Sequence, residues 1–429
     1  MFGDGYWSTE CTIPTCADNS RITCFRIAQK LMVMRKFSDV VVIGGGVIGS
    51  SVAFSLARRG ASVTLLDAST PGRATSASAG GLWSLGESLG LGCGVILHTS
   101  QQGAGAEPAP LPLKFMDFLW ESNLLFPELA TELLTLCGIN IEAESATGLL
   151  YLIYDESQES HASRIISWAG SDHGSLEQWT PQRIRDRDPL ITHNLRNAIH
   201  FPGDNQVNPI LLNEALKRGA CAKGACFIAE ARVHALRCNN RRIVEVYTDK
   251  GSIACGAVVN AAGAWSAQIA KLASIEIPIQ PVRGQIICTE ALQPGTLHSN
   301  LSTRDCYILQ KAHGEIIIGS TTEYSDFSTK VRYEDICNLA AGAIRAVPAL
   351  RNVTLKRSWS GLRPGTPDEL PILGPAAELE NFFHATGGFR TGIVAAPLTG
   401  EVVAASVLGL KPKFPIESFL AHRFQRVYV

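Results

Sequence analysis

Residues 38–69, SDVVVIGGGVIGSSVAFSLARRGASVTLLDAS, read in order as a strand, a glycine turn, a helix, a second strand and an acid. Val40–Ile43 is a short β-branched run of the kind a buried parallel strand needs. Gly44, Gly46 and Gly49 follow with the spacing G-x-G-x-x-G. The first glycine permits a tight turn. The second lets a pyrophosphate approach the backbone, and the third lets the helix pack close to the strand. A helix over Val47–Arg59 would aim its unpaired N–H groups at that pyrophosphate. Asp67 ends the second strand at the distance where an acid takes ribose hydroxyls. The fingerprint alone is weak, but in this context it specifies a dinucleotide site.

The chain has 429 residues, 46% of them hydrophobic and 18% charged, enough for two packed domains. A net charge of −1 gives no reason to expect nucleic acid as a partner. None of the twelve cysteines falls in a C-x-x-C pair. Cys11/Cys16 and Cys221/Cys226, the nearest pairs, have the wrong spacing for common zinc or iron–sulfur sites, so no metal is expected. Reduced thiols fit a cytoplasmic protein. No apolar run reaches the roughly 18 residues of a membrane span. The mean hydropathy of +0.11 suits a subunit that covers part of its surface with partners. Residues 1–37 show no clear period and lack the order of a secretory signal. They read as an extension outside the fold, with Met34 a natural start.

Thr70–Gly81, TPGRATSASAGG, is small and flexible enough to run along an extended ligand. Gly86–Pro112 reads as a mobile loop and Phe115–Cys137 as helix. Leu149–Tyr154 and Ala198–Phe201 read as strands. Asn208-Pro209 opens a helix to about Cys221, with Asn208 as its cap. Strands are expected over Cys226–Leu236, Ile243–Thr248 and Ser252–Ala261. Antiparallel ones are expected over Pro281–Thr289, Cys306–Gln310 and Glu315–Gly319. Tyr333–Val347 reads as helix, Leu355–Leu362 and Phe382–Ala385 as strands, and Gly392–Leu408 as a final helix. The chain thus leaves and re-enters its nucleotide domain.

Three further motifs carry chemistry. Val258–Ser266, VVNAAGAWS, ends a strand in small residues that would let backbone lie against a cofactor or against a neighbouring helix. Trp359–Gly374, WSGLRPGTPDELPILG, holds Arg363 among Gly and Pro, where a guanidinium could grip a carboxylate or bond loop carbonyls. Ala385–Gly400, ATGGFRTGIVAAPLTG, presents a second helix N-terminus, suited to the negative charge of a reduced flavin.

With GGGVIG, SASAGG, NAAGAW, PVRGQ, GSTTE, GLRPGTPDELPILG and GGFRTGI in this order, the chain resembles the glycine oxidase and D-amino-acid oxidase class of FAD enzymes from Ser38 to about Phe424. Within that class, Ser76–Ile96, Arg304–Glu323 and Leu355–Pro375 are similar to the branch found in hydrogen cyanide synthases. The resemblance implies an α/β fold: a discontinuous Rossmann-type FAD-binding domain over 38–115, 198–275 and 355–424. A substrate domain over 116–197 and 276–354 would be α+β on a mainly antiparallel sheet. It places Gly44, Gly46, Val47, Ile48 and Gly49 on the FAD pyrophosphate, and Asp67 and Ala68 at the adenosine ribose. Thr75, Ser76, Gly80, Gly81 and Leu82 would follow the ribityl chain and ring, and Val233 would bond adenine. Ala261, Gly263 and Trp265 would border the cofactor. Gly388, Phe389, Arg390, Thr391, Gly392, Ile393 and Val394 would close over the flavin. Arg363 would hold the substrate carboxylate, Tyr307 would roof the pocket, and Arg390 would edge it or bond the flavin. Many relatives carry histidine where Gly388 stands, which leaves that side chain's role without a bearer here.

The expected activity is oxidation of glycine or a similar small amino acid to the imine, by hydride transfer to flavin N5 of non-covalent FAD. In a hydrogen cyanide synthase-like complex a second oxidation would yield cyanide and carbon dioxide. A ferredoxin-like subunit and a second flavoprotein would complete a hetero-oligomer, in the cytoplasm or against the inner face of the membrane. The alternatives are the FAD subunit of an opine, proline or D-hydroxyproline dehydrogenase, an oxygen-using oxidase, a flavin electron-transfer subunit, or a nicotinamide dehydrogenase.

Overall fold

The run Val40–Ile43 is buried on both faces because it lies inside a sheet. In the computed structural model, which describes residues 36–89, 110–143, 148–169, 173–174 and 176–424, Phe37–Ile43 is flanked by parallel neighbours, Gly251–Asn260 and Val63–Asp67. The sheet runs Ile372–Pro375, Phe382–Thr386, Gly251–Asn260, Phe37–Ile43, Val63–Asp67, Cys226–Ala229. A hairpin of Val233–Asn239 and Arg242–Thr248 branches from Gly251–Asn260. Lys36 already belongs to this sheet through its carbonyl, which accepts from Ala254 N at 3.1 Å. The fold therefore claims the last two residues of the expected extension; residues 1–35, with Cys11, Cys16 and Cys24, lie outside the described residues.

Two helices cover one another beside this sheet. Val47–Arg58 packs on Gly392–Val407 with Ser51 against Gly400, where any Cβ would strike Ser51. Pro397 lies inside the second helix and disturbs its hydrogen-bond ladder. The hydroxyl of Ser122 fills the gap: it donates to Val394 O at 2.7 Å and accepts from Leu398 N at 3.1 Å. Phe118 meets Phe414 and Phe419 edge-on at 5.2 and 5.4 Å, fixing the helix Leu113–Leu124 to the same core.

The second sheet has nine strands. Its path is Glu323–Tyr324, Gln280–Thr289, Ile316–Gly319, Tyr307–Gln310, Asn300–Ser302, Leu149–Ile153, Asn197–Phe201, Glu177–Trp179, with Leu355–Gly365 on the other edge of Gln280–Thr289. All its pairings are antiparallel except Asn300–Ser302 with Leu149–Ile153.

Sheet membership redraws the expected boundaries. Leu355–Gly365 pairs over ten residues with Gln280–Thr289, so it belongs to the antiparallel half. Asn197–Phe201 does too. Residues 116–137 instead bury Phe118, Leu119, Phe126 and Leu133 in the nucleotide-side core. Contacts across sheets decided these cases, and local pattern does not report them. The expected helix 115–137 is two helices, Leu113–Leu124 and Phe126–Cys137, because Pro127 starts a new one. Cys226–Leu236 breaks at Glu230, whose φ of 55° ends one strand before Val233 begins the next. Ser84–Ser88 is a helical turn that overlaps the start of the expected mobile loop Gly86–Pro112; residues 90–109 of that loop are outside the described residues. Among the described residues no helix is long and apolar enough to cross a membrane.

Candidate active site

A cavity of about 380 Å³ runs from the end of the first parallel strands to the antiparallel sheet. At its first end the walls are backbone. Gly44 has φ 113°, and a Cβ there would collide with the Ala261 carbonyl. Gly46, Val47 and Ile48 line the same wall, and Val47 N donates to Thr75 Oγ1 at 3.0 Å. Gly49 does not line the cavity: it is pressed against the Gly44 carbonyl, so its role is helix–strand packing. Asp67 is buried, accepting from Ser69 N at 2.5 Å and from Arg73 Nη1 at 3.0 Å. Ala68 and Val233 lie beside it.

The middle is formed by Gly80 and Gly81 on one side and by Ala261, Gly263 and Trp265 on another. Lys311 clamps this stretch. Its Nζ donates to Gln206 Oε1 and Val207 O, both at 3.0 Å, and Val207 N donates to Gly80 O. Burial lowers that ammonium to about 7. Ser76 and Leu82 are absent from the cavity lining: Ser76 is exposed and bonds Arg73 O, and Leu82 is buried in the apolar core. Gly388, Phe389, Thr391, Gly392, Ile393 and Val394 form a cap over the cavity at a helix N-terminus. Phe389 N donates to Pro364 O at 3.2 Å, tying this turn to the strand that bears Arg363.

At the second end the walls are side chains. Arg363 faces the cavity from Leu355–Gly365 and lies over Gly284, where a Cβ would strike its guanidinium. It donates to Thr321 O at 3.0 Å and to Ser320 Oγ at 2.5 Å. Thr321 is itself held by a buried network. Glu323 accepts from Thr321 Oγ1 at 3.0 Å, Gln285 Nε2 at 2.6 Å and Arg283 Nη2 at 2.6 Å. Burial opposes the charge on Glu323, yet hydrogen bonds from Arg283, Gln285 and Thr321 keep its carboxyl below the usual range. Tyr307 lines the cavity with Trp83 edge-on at 5.3 Å. Arg390 also lines it, held between Glu87 at 3.2 Å and Glu369 at 3.5 Å.

Residues 39–406 match the family of FAD dependent oxidoreductases. The chain belongs to that family. It is 41% identical over 408 residues to hydrogen cyanide synthase subunit HcnC of Pseudomonas aeruginosa, a match covering 91% of this chain and 97% of that one. It is 32% identical over 384 residues to glycine oxidase of Geobacillus kaustophilus, covering 89% and 96%. The crystal structure of glycine oxidase from Geobacillus kaustophilus superposes with a TM-score of 0.80 at 30% identity, covering 90% and 99%. L-proline dehydrogenase from P. horikoshii gives 0.76 at 27%, covering 92% and 99%.

The cavity fits FAD on its own terms. It is long and continuous, its phosphate end is a cradle that any Cβ at Gly44 would obstruct, and two helix N-termini, at Val47 and Gly392, open onto it. Trp83 Nε1 is a buried donor on its wall without a hydrogen-bond partner among the described residues. Sequence reasoning missed Arg73, Trp83, Glu87 and Ser320. Arg73 and Ser320 lie in stretches that stood out, TPGRATSASAGG and GSTTE, but nothing local distinguishes those two side chains from their neighbours. Trp83 and Glu87 sit in the unusual stretch SASAGGLWSLGES, whose oddity was the available signal.

Proposed function

We propose that this FAD-dependent oxidoreductase oxidises a small α-amino acid, with glycine the leading candidate, as the catalytic subunit of a hydrogen cyanide synthase-like complex. The observation that carries the substrate class is Arg363, a half-buried guanidinium that faces the same cavity as the dinucleotide cradle from the antiparallel sheet. FAD, when bound, supplies the two-electron acceptor. Arg363 would take the substrate carboxylate with two parallel hydrogen bonds. Tyr307 and Trp83 would close the other side and exclude water. With the carboxylate fixed, the Cα–H bond has a restricted set of orientations, which is the main service the protein must provide. Oxidation of glycine to its imine removes two electrons. A second such oxidation, giving cyanide and carbon dioxide, removes two more.

Similarity to a hydrogen cyanide synthase subunit supports a hetero-oligomer. We infer a ferredoxin-like subunit and a second flavoprotein as the partners that pass electrons onward, in the cytoplasm or against the inner face of the membrane. The likeness to an L-proline dehydrogenase keeps a cyclic imino acid as the second reading.

Anaerobic stopped-flow reduction of the holoenzyme with glycine, sarcosine, D-amino acids, prolines and opines tests the proposal. Fastest bleaching by glycine supports it, fastest bleaching by proline favours the second reading, and no bleaching by any of them overturns both.

A further inference from the structure

Glu87 is a carboxylate inside the cavity whose placement the carboxylate-binding role of Arg363 leaves unexplained. It sits on the helical turn Ser84–Ser88, and that turn is pinned. Fully buried Asp204 accepts from Ser84 Oγ at 3.0 Å, Leu85 N at 3.2 Å and Gly86 N at 2.6 Å. The Glu87 side chain is 13% exposed and lines the cavity. Its Oε2 is buried and accepts no hydrogen bond among the described residues. Arg390 lies 3.2 Å away through Nη1, but among the described residues neither that nitrogen nor Nε makes an aligned hydrogen bond. Arg390, only 7% exposed, is shared with Glu369 on its other side. A buried carboxylate oxygen with no aligned donor is costly even beside Arg390, and a donor that arrives with the ligand would supply one.

The cavity wall therefore carries groups of both signs. Arg363 offers a positive charge from the antiparallel sheet. Glu87 offers an acceptor oxygen from the loop after the glycine-rich segment. A zwitterionic amino acid presents the matching pair, a carboxylate and an ammonium joined by one carbon. We propose that Glu87 recognises the substrate's amino group and so makes this site select amino acids over carboxylates that lack one. The proposal rests on the amino-acid reading above. Arg363 alone would bind acetate as readily as glycine; Glu87 separates them, because only glycine brings N–H donors and a positive charge.

The test uses the holoenzyme and compares glycine with acetate. Affinities come from the perturbation of the flavin spectrum, with the flavin-reduction rate measured alongside for glycine. In the unmodified protein glycine should bind at least about tenfold more tightly than acetate, the size of one charge-assisted hydrogen bond. Glu87→Gln should weaken glycine roughly ten- to hundredfold, leave acetate within about twofold, and keep flavin content unchanged. Glu87→Asp should recover part of the loss. Equal affinity for glycine and acetate in the unmodified protein overturns the proposal without any variant, should Glu87→Gln fail to fold. Equal losses of glycine, acetate and flavin in Glu87→Gln also overturn it, and assign Glu87 to holding Arg390 in place. If no amino acid reduces the unmodified flavin, the amino-acid reading falls and this proposal with it. If glycine does reduce it but Glu87→Gln retains full preference for glycine, only this proposal falls.

Discussion

The two ends of the cavity are built on different principles. The phosphate end is backbone from one continuous stretch: Gly44, Gly46 and the first turn of Val47–Arg58 lie within a few residues of each other. The substrate end is side chain from remote stretches: Glu87, Tyr307, Ser320, Arg363 and Arg390 span more than 300 positions of the sequence. A ligand feature as constant as a pyrophosphate can be met by local backbone geometry. Choosing among substrates requires charges and shapes that only converging elements bring together.

Replacing Gly44 by valine should break the first end outright. The φ of 113° and the Ala261 carbonyl leave no room for a side chain, so a loss of about 3 kcal/mol or more in stability and of nearly all bound flavin is expected. Retained yellow colour with an unchanged melting temperature would contradict a backbone-built cradle. Arg363→Ala should break only the second end. Two charge-assisted hydrogen bonds are lost, so kcat/KM should fall on the order of a hundredfold or more while flavin content holds. Arg363→Lys should restore part of it, since an ammonium cannot reproduce the fork. Flavin and activity falling in parallel would show that Arg363 merely braces Thr321 and Ser320.

His384 sharpens the contrast from the nucleotide side. It is fully buried in Phe382–Thr386, neither ring nitrogen has a hydrogen-bond partner among the described residues, and burial lowers its pKa from 6.5 to about 4. The folded state resists a proton that the unfolded chain accepts. Stability should therefore be intact above about pH 6.5, decline as pH falls through the window to about 4, and lose roughly 3 kcal/mol at most. Denaturant titrations across that window, with His384→Leu as the comparison, measure it; an equally steep decline in the variant would assign the acid sensitivity elsewhere. The smallest effect is expected at Glu323, which reaches Arg363 through Thr321. Glu323→Gln should raise the glycine concentration for half-maximal flavin reduction about tenfold, with the limiting rate nearly kept, since a group that only positions the carboxylate clamp acts on binding first. A fall in limiting rate at unchanged half-saturation would remove that positioning role.

The legibility of each end follows its construction. The strand–glycine–helix–strand–acid order could be read directly, because each part is encoded within about thirty residues and each glycine has a local steric cause. Asp67 was found by spacing, yet its partner Arg73 was not, since an arginine six residues away looks like any loop residue. Gly49 was identified as a packing glycine and also assigned to the cofactor; its contact with Gly44 leaves the packing role. Arg363 stood out through its Gly- and Pro-rich surroundings and through resemblance to a known class. Its placement over Gly284 did not, because that depends on ten-residue pairing with a strand some eighty positions earlier.

The sequence by itself determined the parallel sheet, the dinucleotide cradle and the oxidoreductase class, since turn geometry, hydrophobic period and motif order are properties of short segments. Only the tertiary structure decided that Leu355–Gly365 joins the antiparallel sheet, that Arg363 bonds Thr321 and Ser320 while Arg390 lies between two carboxylates, and that Glu87 enters the cavity. The physical reason is that charge compensation depends on distances of a few ångströms between residues hundreds of positions apart, and nothing in a local window encodes which carboxylate will come to stand beside which arginine.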